Sequence, residues 1–174
     1  MSGFPALAEL LPHAGPMRLL ERVLAHAPDG TRCAVRTEDA PLFQDADGGV
    51  PAWLAIEWMA QCVAAHGGLL GRSRGEPPRV GFLVGARALE LRVARFEPGD
   101  ALVVEARPRR STAGLFDFAC RVERAADGAV LAEGRVQCFV QESAAALKRL
   151  GWKDSHTARA GGAGAAGEGG GEGA

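Results

Sequence analysis

One carboxylate in this 174-residue sequence occupies an unusual environment. Glu57 lies in residues 51–70, where Trp, Leu, Ile, Met, Val and Ala fill most positions. A carboxylate in such surroundings must lose its charge, find a partner or line a cavity. Gln61 follows four residues later and shares its helical face. Two interpretations are open: a structural hydrogen bond between Glu57 and Gln61, or a carboxyl group that keeps its proton and acts as a general acid.

A general acid of this kind needs a base, and the sequence offers four histidines. His13 lies in a proline-rich loop that either places its ring beside Glu57 or is simply pinned by a hydrogen bond from the ring. His66 is nine residues after Glu57, half a turn around the helix at about 100° per residue, so we expect it to face away. His26 borders a turn and His156 borders the Gly/Ala-rich C-terminus, so neither is a candidate base.

Composition and motifs argue against several other functions. The formal net charge of −1 argues against nucleic acid as a partner, and no apolar run approaches the roughly 20 residues of a membrane span. The sequence has no nucleophile elbow, phosphate-binding loop, dinucleotide fingerprint or metal-spaced cluster, so we expect no cofactor and no metal. The cysteines lack a Cys-x-x-Cys spacing, which predicts core positions in a reduced, cytoplasmic protein: Cys33, Cys62, Cys120 and Cys138.

Composition also divides the chain into two parts. Residues 158–174 contain 8 Gly and 6 Ala and cannot build a core. We therefore predict one domain over residues 1–152 and a disordered tail over residues 153–174.

The residue pattern of this domain predicts one buried helix and several strands. Residues 51–70 are apolar on nearly every helical face, as in a helix that other elements surround. Alternating patterns separated by turn sequences predict antiparallel strands. This layout is an α+β fold with a sheet wrapped over one helix. The other predicted elements are a short helix at 4–11, strands at 17–25, 33–35, 80–84, 89–96, 101–107, 115–123 and 130–140, and a closing helix at 143–150.

Four ordered motifs resemble hotdog-fold 3-hydroxyacyl-acyl-carrier-protein dehydratases, over about residues 5–140. They are LPHAGPMRLLERV at 11–23, PAWLAIEWMAQ at 51–61, GFLVG at 81–85 and FEPGD at 96–100. The sequence is most similar to the aryl-polyene type found in bacterial pigment clusters. The resemblance implies a hotdog fold, in which a curved antiparallel sheet wraps a long buried central helix. It also implies that two subunits pair edge to edge, with acyl tunnels at their interface.

The resemblance further implies a reaction. Dehydratases of this family remove water from a 3-hydroxyacyl thioester, carried by an acyl carrier protein, to give a trans-2-enoyl product without a cofactor. A histidine removes the C2 proton, and the helix carboxyl, here Glu57, protonates the departing hydroxyl. Backbone N–H groups at the helix start polarise the thioester carbonyl. The matching motifs assign substrate contacts to Pro51, Ala52, Trp53, Gln61, Gly81, Phe82 and Leu83.

The sequence departs from the family at the catalytic base. Standard members carry their histidine in a Gly-His-Phe-Pro loop before the helix, and residues 43–50 contain no histidine. Three explanations are open: His13 has taken the role, Asp45 or Asp47 serves as the base, or this subunit is inactive and supports an active partner. Our leading hypothesis pairs Glu57 with His13. The partner subunit that the resemblance implies is either a second copy of this chain or another hotdog subunit.

Two further questions concern function and the carrier protein. A hotdog thioesterase is the enzymatic alternative, because the same carboxylate could activate water. An acidic carrier protein requires a basic surface. Two arginine groups are candidates for that surface: Arg72, Arg74 and Arg79 after the helix, and Arg107, Arg109 and Arg110 after a strand.

Overall fold

The computed structural model describes residues 3–76, 79–112 and 114–140. One long helix and two sheets make up the regular structure of this part. Its elements are β1 Arg22–Ala27, β2 Gly30–Arg36, β3 Val50–Pro51, α1 Ala55–Arg72, β4 Gly81–Leu91, β5 Arg95–Phe96, β6 Ala101–Thr112, β7 Leu115–Arg124 and β8 Val130–Val140. The larger sheet is antiparallel with the strand order β1-β2-β6-β7-β8-β4, so β1 and β4 form its edges. The α+β prediction is confirmed.

The helix α1 packs against one face of the larger sheet. Trp58, Met59 and Cys62 on the helix are fully buried, as are Val104 on β6 and Val136 on β8. All four cysteines are buried, which confirms their predicted core positions. The helix follows a 3-10 turn at Ala52–Leu54, so the predicted helix at 51–70 is confirmed with a tighter first turn. No helix among the described residues has the length and apolar character needed to cross a bilayer.

Several predicted element boundaries were wrong. The predicted leader helix is a single 3-10 turn, Leu7–Glu9. The strand predicted at 17–25 begins only at Arg22, because Gly15–Met17 forms another 3-10 turn and the chain after it bonds to the helix. The strands predicted at 80–84 and 89–96 are largely one strand, β4, with register shifts at Leu83/Gly85 and Arg87/Glu90. The predicted helix at 143–150 and tail at 153–174 lie outside the described residues.

A shared hydroxyl group connects two histidines beneath the helix. Thr31 Oγ1 on β2 lies 2.8 Å from His26 Nδ1 and 2.9 Å from His66 Nδ1. His66 is buried against Phe118 and faces away from Glu57, as predicted. His26, expected at a solvated turn, is instead partly buried in β1. Burial, reinforced by the neighbouring His26, lowers the pKa of His66 to about 4.

The N-terminal segment crosses the helix at a glycine. A Cβ at Gly68 would stand 2.7 Å from the carbonyl oxygen of Leu10, whereas a Cβ at the adjacent Gly67 would meet nothing within 4 Å. Backbone cannot yield as a flexible side chain can, so position 68 requires glycine.

We expect Gly68→Ala to lower the free energy of unfolding by about 1–3 kcal/mol, because the leader must move away from the helix. Gly67→Ala is the matched control. It should raise that free energy by roughly 0.5–1 kcal/mol, because alanine restricts the unfolded chain and favours helix. Urea unfolding measures both, and equal effects of the two substitutions would contradict the close contact.

The buried His66 should make stability depend on pH. Its surroundings are His26 on β1, Thr31 on β2, Phe118 on β7 and Asp29 in the turn between β1 and β2. Since its pKa is lowered from 6.5 to about 4 on folding, the unfolded chain binds more protons than the folded chain between these values. The free energy of unfolding should therefore fall as the pH drops from 6.5 towards 4. In urea titrations at several pH values, His66→Gln should flatten this slope, and an unchanged slope would assign it to other groups.

Candidate active site

Gln61 connects the helix to the loop that carries His13. Its side chain is fully buried on α1. The amide nitrogen donates to the Met17 carbonyl at 2.7 Å and to Glu57 Oε1 at 2.9 Å, and the amide oxygen accepts from the Leu19 N–H at 3.0 Å. Because both N–H groups and the oxygen are engaged, the amide has one orientation. The chain leaving the His13 loop is therefore held against the first turns of the helix.

His13 and Glu57 meet beside this connection. His13 Nε2 lies 3.5 Å from Glu57 Oε1, and the two side chains are 30% and 29% exposed. Glu57 therefore makes the predicted hydrogen bond with Gln61, and its side chain also borders an open site. Glu57 lies in the first turn of α1. The pair combines an imidazole and a carboxyl group that a small molecule could contact together.

An arginine closes the loop that precedes the helix. Arg95 Nη1 lies 3.0 Å from Asp45 Oδ2, and Arg95 Nη2 donates to Asp47 Oδ1 at 2.9 Å. The hydrogen bond from Arg95, helped by one from Asp45, lowers the pKa of Asp47 to about 2. Gly49 gives the guanidinium its space, since a Cβ at that position would collide with it. The two aspartates therefore serve to fix the loop, and a carboxylate with so low a pKa is a poor base.

The start of the helix presents three of the predicted substrate contacts. Pro51 ends β3, and the N–H of Ala52 donates to the Ala94 carbonyl at 3.1 Å. Trp53 precedes Glu57 by four residues, about one helical turn, and its side chain is 54% exposed. Its indole meets the Phe43 ring edge-on, with 5.9 Å between ring centroids. An exposed aromatic surface thus lies at the helix end that carries Glu57.

The other predicted contacts lie on the edge strand β4. Gly81, Phe82 and Leu83 are all exposed there. Leu83 pairs with Cys138 on β8. Burial, together with the charge of Glu57, raises the pKa of the Cys138 thiol to about 11. Cys138 is thus close enough to Glu57 for the carboxylate to affect its pKa. Because Cys138 is also the cross-strand partner of Leu83, the β4 motif lies at the same end of the site.

Sequence reasoning missed two parts of this arrangement. The bonds from Gln61 to the backbone of Met17 and Leu19 have no side-chain pattern that could reveal them. Arg95 was also missed, although the acidic pair Asp45 and Asp47 was a signal for a basic partner. Within the described ranges, no group of three or more His, Cys, Asp or Glu side chains could hold a metal ion.

Comparison with known proteins identifies relatives over most of the chain. The family model described as ApeP-like, ApeP dehydratase, matches residues 5–149. The 3-hydroxyacyl-[acyl-carrier-protein] dehydratase FabZ of Polynucleobacter necessarius subsp. necessarius (strain STIR1) is 32% identical over 148 residues, which cover 80% of this chain and 93% of that protein. The enzyme with the same name from Ralstonia nicotianae is 33% identical over 146 residues, covering 78% of this chain and 84% of that protein.

Solved structures agree with these relatives. The dehydratase heterocomplex ApeI:P from Xenorhabdus doucetiae includes a chain that superimposes with a TM-score of 0.78 at 28% identity, covering 86% of this chain and 99% of that chain. A hypothetical thioesterase from Streptococcus pneumoniae TIGR4 matches with a TM-score of 0.54 at 8% identity, covering 69% of this chain and 84% of that chain, which shows a shared fold only. The architecture is the expected hotdog fold.

Substituting Gln61 should test the connection between helix and loop. Gln61→Met keeps the side-chain volume but leaves the Leu19 N–H and the Met17 carbonyl without their partner. We expect the free energy of unfolding to fall by about 2–4 kcal/mol, because unsatisfied buried polar groups are costly. Gln44→Met is the control: Gln44 makes one hydrogen bond, to the Thr37 carbonyl, from an exposed position. Urea unfolding measures both free energies. A loss for Gln61→Met no larger than that for Gln44→Met would show that Gln61 does not hold the loop to the helix.

Proposed function

We propose a catalytic assignment for this chain, which belongs to the ApeP-like dehydratase family. It is a hydro-lyase that removes water from 3-hydroxyacyl thioesters, borne by an acyl carrier protein, to give trans-2-enoyl thioesters in fatty-acid-like or aryl-polyene biosynthesis. His13 is the general base and Glu57 the general acid. The observation that carries this assignment is the 3.5 Å approach of His13 Nε2 to Glu57 Oε1 in a partly open site.

The two side chains divide the proton transfers between them. His13 removes the proton from C2, and the electrons of that C–H bond form the new double bond between C2 and C3. The C3–O bond breaks, and the departing hydroxyl takes a proton from Glu57 and leaves as water. The imidazolium and carboxylate that result lie close enough to exchange the proton directly, which resets the pair for the next substrate.

His13 is a better candidate base than either aspartate of the preceding loop. Asp45 and Asp47 are held by the Arg95 guanidinium, and the pKa of Asp47 is about 2. His13 has no such restraint among the described residues, since its Nδ1 has no hydrogen-bond partner there. Gln61 acts as a positioning residue, because it holds Glu57 and the chain that follows His13 at the same time.

Gln61, predicted as a substrate contact, is fully buried with its amide engaged by the chain itself, so this proposal places only the other predicted contacts around the pair. The N–H of Ala52 is already bonded to Ala94, so we assign the next one, the N–H of Trp53, to the thioester carbonyl. The exposed indole of Trp53 and the backbone of Pro51 lie at the entrance to the pair. Gly81, Phe82 and Leu83 line the acyl tunnel from β4.

A second subunit completes the tunnel in this proposal. Val80, just before the edge strand β4, and Phe82 and Val84 within it are 54%, 45% and 59% exposed, and apolar surface along the free edge of a strand favours association. The partner is either a second copy or another hotdog dehydratase, as in the solved ApeI:P heterocomplex. The buried, free cysteines support the predicted reducing, cytoplasmic location.

Variants of the pair test the assignment. With a 3-hydroxyacyl carrier protein as substrate, His13→Asn and Glu57→Gln should each lower kcat by about 100- to 10,000-fold, the usual contribution of a general acid or base. Asp47→Asn should retain wild-type turnover, because it removes only a loop contact. Thermal unfolding of each variant confirms that it has folded.

The products of the same assay distinguish the alternatives. An enoyl thioester as product supports the proposal, and unchanged turnover in His13→Asn excludes His13 as the base. Release of a free acid would identify a thioesterase. No turnover by the purified chain, with turnover restored by a second hotdog subunit and unaffected by Glu57→Gln, would identify a supporting subunit.

A further inference from the structure

The outer face of the larger sheet, which points away from the helix, carries charges in cross-strand rows. One row alternates in sign: Glu133 on β8, Arg121 on β7, Glu105 on β6 and Arg32 on β2 occupy paired positions. Arg121 Nε lies 2.7 Å from Glu105 Oε2. Opposite charges on neighbouring strands stabilise a sheet, so this row needs no further partner.

The next row contains only positive charge. Arg87 on β4 pairs with Arg135 on β8, Arg135 with Ala119 on β7, and Ala119 with Arg107 on β6. Like charges in directly paired positions repel each other, as Arg87 and Arg135 do here. The small side chain of Ala119 leaves a gap between Arg135 and Arg107. Carboxylates of the chain itself offset Arg107 and Arg135, whereas Arg87 has no ion pair with a described residue.

Two further arginines extend this row at the adjacent β6–β7 hairpin. Arg110 pairs with Asp117, and Arg109 occupies the register shift before it. Neither makes an ion pair with a described residue, whereas Arg107 contacts Glu105 at 3.0 Å and Arg135 contacts Asp117. We call these five residues together the arginine face: Arg87, Arg107, Arg109, Arg110 and Arg135.

The arginine face surrounds open grooves. One groove of about 540 Å³ has a balanced lining, in which three arginines face three glutamates: Arg107, Arg121, Arg135, Glu90, Glu105 and Glu133. A second, of about 410 Å³, includes Arg107, Arg109 and Arg110, with Asp29 as its only carboxylate. The second groove therefore has three arginines and one carboxylate in its lining, and this excess of positive charge attracts acidic surfaces.

The other arginine group, after the helix, is largely neutralised by its own neighbours. Arg72 lies 2.9 Å from Glu9, and Arg74 and Arg79 lie 3.1 Å and 2.9 Å from Glu76. Every arginine of this group therefore has a carboxylate partner within the described residues. Its field is weaker than that of the arginine face.

Strand register places the arginine face at the same end of the sheet as the catalytic pair. Arg110 pairs with Asp117, and Asp117 pairs with Gln137 on β8. The next residue on β8 is Cys138, whose thiol turns to the other face and feels the charge of Glu57. A protein bound near the hairpin could thus deliver a flexible arm around the sheet end to the site.

We propose that the arginine face is the docking surface for the acidic acyl carrier protein. This inference rests on the proposed function, because it concerns the delivery of that enzyme's substrate. The carrier's acidic side chains contact Arg109 and Arg110, which make no ion pair with a described residue.

The test compares two charge reversals in the full-length protein, with its partner subunit if one co-purifies. Arg109→Glu/Arg110→Glu reverses two arginines of the docking surface that have no ion pair to lose. Arg72→Glu/Arg74→Glu reverses two arginines of the neutralised group as a matched control. Affinity for a fluorescent acyl carrier protein is measured by anisotropy at several salt concentrations, and KM is measured for a carrier-borne and for a pantetheine-borne 3-hydroxyacyl thioester.

If the carrier docks on the arginine face, the first variant should lose affinity for the carrier and keep its affinity for the pantetheine substrate. Arg109→Glu/Arg110→Glu should weaken carrier binding and raise KM for the carrier-borne substrate by at least about tenfold, with a reduced salt dependence. Its KM for the pantetheine thioester should stay within about twofold, and the control should resemble the wild type. Unchanged carrier binding, an equal loss in the control, or an equal loss for both substrates would overturn the proposal. Because anisotropy needs no turnover, carrier binding without dehydration would refute the proposed function and leave the docking surface standing.

Discussion

The side-chain amide of Gln61 makes three hydrogen bonds on which the site depends. It joins two backbone groups of the segment after His13 to the carboxylate of Glu57, all from one buried position on α1. Each such bond contributes only about 1 kcal/mol net, but leaving the same buried groups unpaired costs more. The loop and the helix are therefore tied to one arrangement. Without this connection the His13 loop, which contains two prolines and a glycine and no regular strand, would have no fixed position relative to the carboxylate.

The two faces of the larger sheet differ in composition: the inner face is apolar and the outer face is charged. The inner face supplies Val104, Val122 and Val136, which bury the helix and so hold Glu57 at its exposed first turns. The outer face does not pack against the helix, and its charged side chains lie in cross-strand rows. One row of that face balances its charges and the adjacent row does not.

The edges of the sheet explain why the site is incomplete in one chain. The proposed acid and base, Glu57 and His13, come from the same chain and lie 3.5 Å apart. The strand that would line the acyl tunnel, β4, exposes Phe82 and Leu83 and has a free edge. Its strained backbone at Ala88, where φ is 49°, lies in the second register shift and bends the strand away from a flat edge. In the proposed function, proton transfer therefore depends on one chain, whereas enclosure of the substrate depends on two.

Residue pattern alone predicted the α+β layout and the buried helix and singled out Glu57 as a candidate, because apolar periodicity and the cost of burying a lone carboxylate are local properties. It also limited the bases to His13 and two aspartates. Only the tertiary structure separated these, since Arg95, almost fifty residues from Asp47, neutralises the aspartate loop. Strand boundaries near Met17 and along β4 were likewise missed, because backbone bonds to Gln61 and register shifts have no signature in residue type. Contacts between distant segments are set by packing, and packing is not encoded in any single stretch of sequence.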